Sequence, residues 1–200
     1  NNNVFKKAAQ LQALLESKGY EVVRYVTGNK GIGHYKFRED EVVGSWGGFS
    51  QDPTWEATHD VRRHLIDGFI AGSNGTTKGR DGLHAQGEGV GVRGFDQVHV
   101  VYTEFESMLT QTARAQQLLP VEPVIQDEEY HLGDSALSDA ESAEDVAAGF
   151  EFEPDADTLM EALLPQYVSR ILFAMFLEAS ASESAARRTA MKSATDNATE

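Results

Sequence analysis

The residues best suited to chemistry are few and scattered. Gly89, Gly91 and Gly94 spell G-x-G-x-x-G. That pattern lets backbone approach a pyrophosphate when it follows a strand and opens a helix. Here it precedes a strand-like segment, so it reads as loop. "GNKGIG", Gly28 to Gly33, does follow a strand-like segment but lacks the Gly-Lys-Ser/Thr ending of a phosphate loop, and reads as a turn. His59 and His64 are five apart, not the three or four that put two ligands on one helix face; solvent-facing or packing roles fit them better. The acidic run from Asp127 to Asp157 contains no Lys or Arg, yet shows no EF-hand spacing. The chain has no cysteine, which excludes disulfides, thiolate metal sites and a cysteine nucleophile. No Ser-His-Asp order or paired carboxylates emerge. The expectation is no catalytic residue, no cofactor and no metal.

One other cluster stands out. Arg187, Arg188 and Lys192 are the only Lys or Arg residues after Arg170, and Met191 lies among them. Around them the chain is mostly Ala, Ser and Thr. Arg188 and Lys192 are four apart and share a helix face, with Arg187 about 100° round. The small residues around them let another helix or an external surface approach closely, while exposed charges of this kind usually just solvate.

The elements that must carry these residues follow from periodicity. Val4 to Lys18 reads as helix, stopped by Gly19. Tyr20 to Gly28 reads as a short buried strand, and Val42 to Phe49 as strand or loop. Asp52-Pro53 should open a helix that runs through Val61, Leu65 and Phe69 to Gly72. Phe95 to Phe105 is the best strand. Thr110 to Leu119 reads as helical or irregular, and "VEPVIQ" and "GFEFEP" as further strands. A long helix then runs from about Asp155 to the end, 46 residues, roughly 69 Å at 1.5 Å per residue. Pro165 is a possible kink. The run Tyr167 to Leu177 is interrupted by Ser169 and Arg170 and falls short of the roughly 20 residues a bilayer span needs. The alternation predicts an α/β fold with a mostly parallel sheet. Residues 73–94 and 126–149 exceed ordinary loop length and read as insertions. The second is expected to be a mobile regulatory loop, because its charges repel and it has few large apolar residues.

Composition agrees with a globular domain: 200 residues, 40% hydrophobic. The net charge of −15 argues against nucleic-acid binding. The start lacks a basic region followed by an apolar run, so no secretory signal is read.

Several stretches resemble the γ subunit of F-type ATP synthases, the central rotor shaft. "ASESAARRTAMKSATDNA" resembles the start of that family's C-terminal helix. "FEFEPDADTLMEALLPQYV" resembles the entry to the shaft, "VHVVYTEFESMLTQT" the central strand, and "YVTGNKG" the second strand and turn. "NNNVFK" resembles the segment after the family's first strand. The match is collinear over nearly the whole chain, and the two insertions resemble actinobacterial versions.

The resemblance implies a Rossmann-like body over residues 1–154 and, over 155–200, the start of a helix that forms half of an antiparallel coiled coil. It implies a fragment without the family's N-terminal helix, first strand and C-terminal tip. It implies a non-catalytic subunit, peripheral on the cytoplasmic side of the bacterial membrane, that binds no ATP itself. Its partners would be the α and β subunits of the head, the ε subunit and the c-ring. Arg187, Arg188, Met191 and Lys192 would meet the head. Two other readings stay open: an α/β enzyme binding a nucleotide at a strand end, and a plain helical interaction module.

Overall fold

In a computed structural model of the protein, residues 2–79, 83, 91–121 and 155–199 are described. Four helices and six short strands alternate along them: α1 (Asn2–Ser17), β1 (Tyr25–Thr27), α2 (Asn29–Phe37), β2 (Gly44–Trp46), α3 (His59–Ala71), β3 (Thr76–Thr77), β4 (Val92–Arg93), β5 (Val98–Phe105), β6 (Gln111–Leu119) and α4 (Ala156–Thr199). The protein is thus mixed α/β with small sheets and a long C-terminal helix.

Local chemistry sets several boundaries. α1 ends because Gly19 takes φ +86°; the Gly19 and Tyr20 N–H groups then return to the Glu16 and Leu15 carbonyls at 2.9 and 3.1 Å. Asp52-Pro53 does not open α3. Thr54 to Thr58 forms a turn first, closed by the Thr58 N–H on the Thr54 carbonyl at 3.2 Å, and the helix begins at His59.

Strand pairing differs from a mostly parallel sheet. The described strands form three separate pairs. β1–β2 is parallel, β3–β4 and β5–β6 antiparallel. Connection length explains the difference. β1 and β2 are linked by α2, which supplies the crossover a parallel pair needs. β5 and β6 are joined by five residues, 106–110, and fold back as a hairpin. Residues 111–119 are therefore strand rather than helix, with Thr112, Arg114 and Gln116 exposed in alternation.

The core lies where α3 and α4 meet the strands. Trp46, Phe49, Val61, Leu65, Ile66, Val98, Leu118, Leu119, Val168, Leu172 and Met175 form one buried cluster. α1 packs on β5 and β6, and α4 on β5 and α3. Between α1, residues 20–27 and β5 lies a cleft of about 640 Å³, lined by Val4, Leu11, Val23, Tyr25, Val98 and Val100 among others. Among the described residues β1 pairs only with β2 and β5 only with β6, so two strands bordering this cleft each have an edge with no described strand beside it. The ends of the 73–94 insertion carry β3 and β4, and Leu83 bridges to Gly44. The 126–149 insertion and the strands expected at "VEPVIQ" and "GFEFEP" fall outside the described residues, apart from Val121.

Candidate functional site

α4 is 44 residues long, about 66 Å. It runs through Pro165 as one helix. Asp155 caps its start: the Thr158 N–H and hydroxyl donate to the Asp155 carboxylate at 3.1 and 2.8 Å. Those two bonds, the backbone one first, hold the carboxyl below its usual range.

Among the described residues, the body holds α4 over its middle. Val168, Ser169, Leu172, Met175, Ser180, Ser182 and Ala185 are buried, at spacings that keep one face inward. Before them, Met160, Leu163, Leu164 and Tyr167 are exposed; after them, every described side chain from Ala186 to Ala198 is exposed. By length and composition α4 could cross a membrane, its most apolar window averaging 1.2 in hydropathy. Its polar seats argue for packing on protein: Ser180 donates to the Gln51 carbonyl at 2.9 Å and Ser182 to the Thr103 carbonyl at 3.3 Å.

The firmest grip comes from Arg62 on α3, only 4% exposed. Its guanidinium donates to the Ser169 hydroxyl, the Trp55 carbonyl and, at 3.1 Å, the Thr58 hydroxyl. It also sits 3.4 Å over the Trp55 ring, which meets Phe173 of α4 edge-on at 5.3 Å. Burial lowers the Arg62 pKa, and the three acceptors and the ring stand in for lost water. Ser169 looks in sequence like a flaw in an apolar run. In the fold it is where α3 holds α4, while Arg170 faces solvent. Sequence reading missed Arg62; its one signal is a cation inside the apolar stripe of α3.

The cationic cluster lies beyond the body. Arg187, Arg188, Met191 and Lys192 are all exposed. They are not equivalent. Arg187 pairs with Glu183 at 2.9 Å, and the same Glu183 oxygen meets Lys30 of α2 at 3.2 Å. Arg187 is thus tied back toward the body.

The other candidates resolve into packing. Gly94 is tucked against the end of α3, where a Cβ would come within 2.4 Å of the Gly68 and Gly72 carbonyls. Gly91 lies against Thr76, and Gly89 is outside the described residues. Gly28 takes φ +85° to enter α2. His59 is solvent-facing beside Asp60 at 3.1 Å. His64 is fully buried among the rings of Tyr25, Trp46 and Phe95. Burial pushes the Tyr25 phenol up to about 12. No group of three or more potential metal ligands occurs among the described residues.

A sequence-family model described as ATP synthase matches residues 1–200. The chain is 72% identical to the ATP synthase gamma chain of Corynebacterium diphtheriae, 48% to that of Nocardia farcinica and 46% to that of Rhodococcus opacus. The chain belongs to the ATP synthase gamma chain family. Each match covers all of this chain and 60% of the relative, so the chain spans about three-fifths of the gamma chains it resembles.

Proposed function

We propose that this chain is the foot and lower shaft of the rotor in a proton-translocating F-type ATP synthase. It couples proton flow through the c-ring to ATP synthesis in the α/β head and performs no catalysis itself. The observation that carries this reading is mechanical. A 44-residue helix is clamped over its middle, while the described side chains toward both ends are largely exposed. That is how a lever must be mounted to pass on torque. Residues 1–154 form the body and 155–200 the shaft.

The exposed Met160, Leu163, Leu164 and Tyr167 recur at three and four residues along α4, which suits a second helix alongside in an antiparallel coiled coil. The ε subunit and c-ring would meet the foot, and Arg187, Arg188, Met191 and Lys192 the head. The complex then places the subunit peripherally on the cytoplasmic side of the bacterial membrane.

The test is to express the complete subunit with α and β and purify on a tag carried by β. The subunit is expected to co-purify. Alone, it should show no thermal stabilisation by ATP. Tight nucleotide binding by the subunit, or its absence from the purified complex, sinks the proposal.

A further inference from the structure

The β5–β6 hairpin ends in a tip that holds two apolar side chains in water. Leu109 is 84% exposed and Met108 45%. Such residues in a loose loop would mean little, but this tip is braced. The Glu106 and Ser107 N–H groups donate to the Thr110 carbonyl at 3.3 and 3.0 Å. The Leu109 and Thr110 N–H groups donate to the Ser107 hydroxyl at 3.3 and 3.0 Å. The Gln111 amide donates to the Ser107 and Met108 carbonyls, both at 3.1 Å. Holding exposed apolar groups in one geometry lowers the entropy cost of docking them.

The direction of the tip says where it docks. β5 and α4 run the same way. Val98 and Leu172 share the core cluster, Glu178 acts on Tyr102, and Ser182 bonds to Thr103. Past Thr103 the strand climbs about 13 Å to the turn at about 3.3 Å per residue. α4 reaches that height about nine residues beyond Ser182, near Met191, itself 59% exposed. The hairpin tip thus stands level with Met191, which lies nine residues past Ser182 and so on the face of α4 turned away from β5; both present apolar side chains at one height, on opposite sides of the helix axis.

We propose that Met108 and Leu109 form a second contact with the α/β head, an apolar finger beside the shaft that bears on the head's lower rim. This rests on the rotor reading and adds a point of contact off the shaft axis, where an apolar contact acts with a longer arm than one on α4.

The test places a photoreactive benzophenone amino acid at position 109 of the complete subunit in the assembled membrane complex. Position 112, on the exposed face of β6, serves as control. Crosslinks to α or β are expected at least tenfold above those from position 112. A crosslink to ε, the c-ring or lipid, or none above control, overturns the finger. Co-purification of the labelled subunit with the head separates the two claims: loss of co-purification strikes the rotor reading, while intact co-purification without the α or β crosslink strikes only the finger. As a second arm, Leu109→Ser with Met108→Ser should assemble normally and lower ATP-driven proton pumping per ATP hydrolysed about twofold. Unchanged pumping also overturns it.

Discussion

Arg62 of α3 donates to the hydroxyl of Ser169, one of the two residues that interrupt the apolar run from Tyr167 to Leu177. Two residues 107 apart in sequence thereby fix the body to the long helix. Arg62→Ala would leave the buried Ser169 hydroxyl and the part-buried Trp55 carbonyl without this donor and remove the cation from the Trp55 ring. The expected loss is about 3 kcal/mol, read as a lower urea midpoint with unchanged slope for the complete subunit. Ser169→Ala removes one acceptor of three and should cost about 1 kcal/mol. A loss for Arg62→Ala no larger than for Ser169→Ala would mean that the guanidinium adds little beyond one bond.

The cleft between β1 and β5 makes a separate prediction. Val23 is exposed at its margin, and among the described residues both flanking strands have an edge without a neighbouring strand. Unpaired edges beside apolar surface recruit other strands. We propose that another segment of the complete subunit fills this position, as the likeness of "NNNVFK" to the stretch after the family's first strand suggests. The 200-residue chain should then associate with rising concentration in light scattering and dissolve poorly. A soluble monomer with one sharp melting transition would refute this.

The start of α4 should respond to acid. The Asp155 carboxyl is held below its ordinary range by the Thr158 N–H and hydroxyl. A depressed carboxyl stabilises the fold above its unfolded value, near 3.9, and that contribution fades as pH falls through the lower folded value. Amide exchange at Thr158 should therefore speed up relative to the middle of α4 only below about pH 4. Asp155→Asn retains a capping oxygen without the charge and should flatten that response. A pH response identical in Asp155→Asn would assign it to other carboxylates.

How much of this could be read from sequence depends on which physical term decided each element. α1 and its Gly19 stop were legible because helical periodicity and a left-handed glycine are local properties. β6 was not. Gln111, Ala113, Ala115 and Gln116 favour helix in isolation, and only the ladder to β5 makes them strand. The false start at Pro53 has a similar cause: proline suits a first helical turn, but Thr54 to Thr58 spend their hydrogen bonds on a separate turn. At the candidate site, the sequence showed the spacing of Arg187, Arg188, Met191 and Lys192 along a helix but not how far they stand from the core. The tie from Arg187 through Glu183 to Lys30 was invisible, because Lys30 and Glu183 are 153 residues apart.

That tie sharpens the prediction for the cationic cluster. We propose that Arg188 and Lys192 meet acidic groups of the head as the shaft turns. Each contact must form and break, so an exposed pair worth roughly 0.2 to 1 kcal/mol suits the task better than a strong one. Arg187 needs separate treatment. Arg187→Glu would set a second carboxylate beside Glu183, one turn away, and disturb the helix's link to α2 whatever the head does. Arg188→Glu with Lys192→Glu avoids that neighbour and keeps good helix formers. In inverted membrane vesicles carrying the complete subunit, this pair should leave assembly intact and lower the protons pumped per ATP hydrolysed at low salt. Screening shortens the reach of these charges as salt rises, so the difference from the unaltered enzyme should shrink across a salt series. Arg187→Glu alone should also loosen the Glu183 to Lys30 contact, seen as faster amide exchange at the start of α2. A double variant that assembles and pumps with an unchanged ratio at low salt would leave Arg188 and Lys192 as charges that only solvate the helix.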